Sequence, residues 1–133
     1  MKKMLMVLLV AAVIGGFYMS AKVAFGAEKT PARVFRHVVL LKFKDGTAPD
    51  RVRAIEDAFL ALKDKIDTVK SIEGGADVSP EKMQQGFTHA FMVTFADAAG
   101  RDAYIPHKAH QDFVAFMKPD LDKVLVVDFW SQR

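Results

Sequence analysis

The 133-residue chain contains no cysteine. Disulfides and thiolate nucleophiles are therefore excluded, and the fold must be held by packing, either within the chain or with a partner subunit. Serine offers little in their place: Ser71 and Ser79, the serines of the folding portion ahead of its last few residues, stand in no nucleophile-elbow motif. A surplus of one charge sign is also lacking. The formal +3 comes from Lys2, Lys3 and Lys22 in an N-terminal stretch without acids, so beyond Gly26 the 19 basic residues fall to 16, against 16 acidic ones. A near-neutral domain without a lysine or arginine cluster lacks the electrostatic footprint of a nucleic-acid binder, and nucleic acid is not an expected partner. Internal repeats are absent too, beyond a likeness of two βαβ-like halves, as are low-complexity segments beyond that first stretch.

What the sequence does have begins with a leader. Two lysines precede an uncharged run from Met4 to Ala21, and Ala24 and Gly26 occupy the small positions of a cleavage site. Residues 1–26 are expected to be a signal peptide, which implies a periplasmic or extracellular protein. The alternative is an uncleaved membrane anchor, the one membrane contact expected; Gly15, Gly16 and Ser20 weaken the run as a span. Residues 27–33 are polar, contain one proline and read as a tether, leaving 34–133 as a single domain.

Within that domain, Phe35, His37, Val39, Leu41 and Phe43 alternate with more polar neighbours, the period of a strand. Pro49 suits a first helical turn, and Val52, Ile55, Phe59, Leu62 and Ile66 follow at helical spacing. Residues 68–79 predict a second strand, with the Gly74–Gly75 pair as a bulge or bend. Residues 87–95 alternate as a third strand with Phe87, His89, Phe91, Val93 and Phe95 on one face. A helical region from 96 is interrupted at Pro106 and resumes over 106–118, and the β-branched run 123–130 predicts a last strand. The order βαββαβ defines an α+β, ferredoxin-like protomer with an antiparallel sheet and helices on one face. The opposite face still carries Val38, Leu40, Ala90 and Met92, so a second copy is expected to cover it, giving a two-fold homodimer.

Histidines interrupt the apolar face. His37 and His89 sit among its phenylalanines, and His110 shares a helical face with Phe113, Val114 and Met117, which turns it inward. His107 stands one turn earlier, and Tyr104 precedes the break at Pro106. Two readings remain open: buried imidazoles bonded to backbone or hydroxyls, or polar groups lining a cavity. In the second reading Val39, Leu41, Ile55, Phe59 and Phe91 supply the apolar walls around a small apolar or aromatic ligand. The H-x-x-H spacing of His107 and His110 lacks an acidic companion at ligand spacing, and His37 and His89 belong to opposite ends of an antiparallel pair. Neither a metal nor another cofactor is therefore expected. The residue types suit acid–base chemistry: a neutral imidazole in an apolar pocket accepts a proton near pH 7, and a phenol donates to a carbonyl oxygen.

Four segments in order, HVVLLKFKDG (37–46), GFTHAFMVTF (86–95), YIPHKAH (104–110) and VLVVDF (124–129), resemble the stress-responsive A/B barrel (Dabb) family of the dimeric α/β barrel group. The resemblance spans roughly Arg36 to Trp130. It implies a ferredoxin-like protomer whose sheet meets its twin to close a barrel. Many members are known as small stress-associated proteins, and one plant member is a polyketide cyclase that closes a ring by aldol-type chemistry without metal. By that likeness His110 is the base, Tyr104 binds or polarises a substrate carbonyl, and His37 and His89 support the pocket. The expected function is thus that of an exported family member binding a small apolar molecule, with a cyclase or isomerase acting through His110 and Tyr104 as the alternative. A haem-degrading monooxygenase shares the dimeric barrel, but Trp130, the single tryptophan, lies near the C-terminus and no Asn/Trp/His set accompanies it.

Overall fold

The computed structural model describes residues 33–131; the expected leader or anchor at 1–26, and the tether as far as residue 32, lie outside the described residues. Four strands form one antiparallel sheet in the order β2-β3-β1-β4. β1 (Phe35–Phe43) is central, and its alternation places Phe35, His37, Val39, Leu41 and Phe43 on the buried face. β3 (His89–Phe95) pairs with it so that His37 faces Val93 and Leu41 faces His89. On its other side β4 (Leu121–Trp130) pairs Val39 with Val126 and His37 with Asp128.

α1 (Pro49–Leu60) starts with proline at its first turn, where an amide would have no intrahelical partner, and Asp50 favours the positive end of the helix dipole. The expected helical stripe reaches Ile66, but the helix ends at Leu60 and tightens into a 3₁₀ turn, Ala61–Asp64. Tightening keeps Leu62 and Ile66 buried beside Ile55 and Phe59. Burial of each such side chain contributes about 1.5–3 kcal/mol.

β2 (Val69–Ala76) holds the glycine pair, yet its register irregularity lies between Val69 and Ser71. Gly74 serves close approach instead: a Cβ there would lie 2.4 Å from both the Ala90 carbonyl oxygen and Phe91 Cδ1. The break at Pro106 separates α2 (Ala98–Tyr104) from α3 (Lys108–Met117). Asp97 caps α2 by accepting from the Gly100 amide at 2.9 Å.

The helices cover one sheet face, and the other is left uncovered by the described residues. On it Val127 is 50% exposed and Phe129 44%, with Leu125 also exposed and Val38, Leu40 and Met92 half-buried. No helix among the described residues is long and apolar enough to cross a membrane.

Candidate functional site

Three of the predicted polar residues meet at one end of the helix-covered face. Tyr104, the last residue of α2, is 1% exposed, with its ring 5.8 Å from that of His37 and 4.3 Å from that of His110. Burial alone drives its phenol well above the ordinary tyrosine range, so the hydroxyl stays a neutral hydrogen-bond donor at physiological pH.

His110 reaches this cluster from the first turn and a half of α3. Its Nδ1 lies 2.9 Å from the Ile105 carbonyl oxygen, which can only accept, so Nδ1 carries the proton and Nε2 keeps its lone pair. Burial holds the imidazole below the usual histidine value. The bond to Ile105 works in the opposite direction, and His37 and His107 add repulsion against the charged form. A neutral ring with a free Nε2 results, the state a general base or a hydrogen-bond acceptor requires.

His37 is fixed from behind. Its Nδ1 donates to Asp128 Oδ1 at 2.6 Å, while Arg101 of α2 binds the other carboxylate oxygen. The carboxylate thereby joins β1, β4 and α2, and it sets which imidazole nitrogen is protonated. Neither Asp128 nor Arg101 is singled out by the sequence reading. One signal is there: Asp128 is the lone acid in KVLVVDFW, in phase with Val124 and Val126 on the helix-covered face.

His37, Tyr104 and His110 border a cavity of about 520 Å³ between α3, the α2–α3 junction and the β1–β4 half of the sheet. Val39 and Phe59 are among its walls, joined by Val114 and Met117 of α3 and by Val124 and Val126 of β4. Such a volume falls in the range of small-molecule sites, as does a wall of carbon with a few convergent polar groups.

The other residues expected at the pocket lie elsewhere. Leu41 and Ile55 at 0% exposure and Phe91 at 1% are packed solid in the core and do not line the cavity. His89 is separated from His37 by four residues of register, about 13 Å along the strand. There its Nε2 lies 3.4 Å from Glu56 of α1 and its ring packs edge-on against Phe43. His107 is exposed and caps α3, its Nδ1 accepting from the Ala109 amide at 3.1 Å. With one imidazole spent on a cap and the other turned to Ile105, the H-x-x-H pair does not converge. Among the described residues no three His, Cys, Asp or Glu side chains cluster as metal ligands.

Residues 35–131 match the family whose description is Stress responsive A/B Barrel Domain. A stress-response A/B barrel domain-containing protein of Arabidopsis thaliana, HS1, is 38% identical over 94 residues, 71% of this chain and 86% of that protein. Olivetolic acid cyclase of Cannabis sativa is 29% identical over 98 residues, 74% of this chain and 97% of the cyclase. Among solved structures, a dimeric ferredoxin-like protein of unknown function from Thermobifida fusca superposes with a TM-score of 0.64. It is 25% identical, and the match covers 74% of this chain and 92% of that one.

Proposed function

The chain belongs to the stress-responsive A/B barrel domain family, and from that membership we propose that it binds a small apolar molecule in the cavity beside α3, as an exported homodimer. The observation carrying this reading is the contrast within one cavity: walls of Val39, Phe59, Val114, Met117, Val124 and Val126, and a polar end made by His37, Tyr104 and His110. An apolar body with one carbonyl or phenolic oxygen satisfies both parts, the oxygen meeting Tyr104 and an imidazole. The uncovered sheet face, together with the dimeric relative from Thermobifida fusca, supports pairing of two copies face to face. The leader supports export to the periplasm or the exterior, with cleavage after Gly26.

Native mass spectrometry of the protein recovered from the expressing cell tests all three parts. The expected species is two copies, each lacking residues 1–26, which retains or takes up an apolar phenol or carboxylate. A dimer that neither carries nor binds such a molecule overturns the ligand reading; a monomer overturns the pairing, and a full-length mass overturns the cleavage.

A second reading, a metal-independent cyclase or isomerase, is favoured by one observation: the His110 ring lies against Tyr104 with Nε2 unprotonated. In that chemistry Nε2 takes a proton from the carbon between two carbonyls, and the Tyr104 hydroxyl donates to the oxygen on which charge gathers. His110→Ala then abolishes turnover of a β-keto substrate and leaves the melting temperature nearly unchanged. Unfolding of that variant assigns His110 to the structure, and undiminished turnover rejects it as the base.

A further inference from the structure

The cavity's rim carries a cation that no carboxylate among the described residues pairs with. Lys118, the residue after α3, borders the cavity and also an adjoining outer hollow of about 380 Å³, which shares Ile105, His110 and Val114 with it. Neither lining contains an aspartate or glutamate. The carboxylates nearest in sequence are engaged elsewhere: Asp112 with Lys108 at 2.7 Å, Asp120 with Arg51 at 2.8 Å and Asp122 with Lys42 at 2.7 Å. Among the described residues no carboxylate lies within salt-bridge distance of Lys118.

A lone ammonium beside an apolar opening attracts an anion, because the low-polarity wall screens the pair less than water does. The same wall rejects an anion placed deep inside, where burial of an unpaired charge is costly. Both constraints are met by an amphipath whose carbon chain fills the cavity and whose charge stays at the rim. We propose that the site takes an apolar monocarboxylate, tail inward between α3 and β4, with its carboxylate on Lys118, and that Lys118 sets the preference for this head group. The assignment rests on the reading of the cavity as a ligand site.

The test uses protein recovered from expression of the full chain, titrated calorimetrically with decanoate and with decan-1-ol, which share a tail and differ in charge. Decanoate binds about tenfold more tightly, a difference worth roughly 1.4 kcal/mol, and the preference weakens with added salt. In Lys118→Met, the ratio of decanoate to decanol affinity falls to about one, and Lys118→Glu lowers that ratio further. Lys118 is exposed, so these variants remove no core packing. Equal binding of the two probes by the unaltered protein overturns the assignment while leaving the cavity a ligand site. A preference that survives Lys118→Met overturns the role of Lys118, and failure of both probes to bind overturns the cavity reading and this one with it.

Discussion

His110 combines three local constraints: a carbonyl on Nδ1, a phenol against its ring and enough burial to disfavour its charge. An imidazole whose folded value is depressed binds fewer protons in the native than in the unfolded state. Its contribution is fully present above the unfolded value of about 6.5 and is lost as pH falls through the folded one. Chemical denaturation between pH 8 and pH 5 is thus expected to show stability falling below pH 6.5, with the fall shallower in His110→Gln; identical slopes refute the depressed value. His110 is legible in sequence because its spacing to Phe113 and Met117 fixes its direction. Asp128 is not, because its partners depend on the β1–β4 register and on where the turn of α2 brings Arg101. The difference between a wall and a filled core is likewise invisible: Val39 and Leu41 alternate identically in β1, yet Val39 borders the cavity and Leu41 is fully buried in the core.

The elements follow from periods that the sequence states openly. β1 and β3 alternate without interruption, and Pro106 breaks the second helical region where the amide is missing, which turns His110 back towards Ile105. The role of the glycine pair in β2 is less legible, since a bulge and a close approach both call for glycine and only the partner strand distinguishes them. Gly74→Ala drives a methyl into the Ala90 carbonyl and the Phe91 ring, whereas a Cβ at Gly75 meets nothing within 4 Å. The first substitution is expected to cost about 1–3 kcal/mol, which lowers Tm by roughly 5–20 °C in a domain of this size. The second leaves Tm within about 3 °C, as surface substitutions usually do. Thermal unfolding of the two variants checks the pair, and equal losses would show that the approach at Gly74 is not tight.

At the scale of the whole molecule, the sheet separates two tasks: its covered face borders the cavity and its bare face offers Leu125, Val127 and Phe129. Exposed apolar side chains on one contiguous face mark an interaction surface, and in the proposed homodimer a carboxylate in place of Val127, set beside Leu125 and Val38, is desolvated at a cost. Val127→Asp is expected to convert a dimer in sedimentation equilibrium to a monomer with its secondary structure intact; an unchanged dimer places the interface elsewhere. The alternation in β1 and β3 already exposes this two-faced character, whereas the cavity depends on how far α3 stands off β4, a distance no periodicity encodes. The central claim is that this gap is a binding site and not slack packing. Amide and methyl NMR spectra of the protein titrated with an apolar carboxylate test it most directly. The account predicts saturable shifts centred on Ile105, His110, Val114, Val124 and Val126, with Leu125 and Val127 on the opposite face little affected. Shifts confined to that opposite face, or none at saturating ligand, would contradict it.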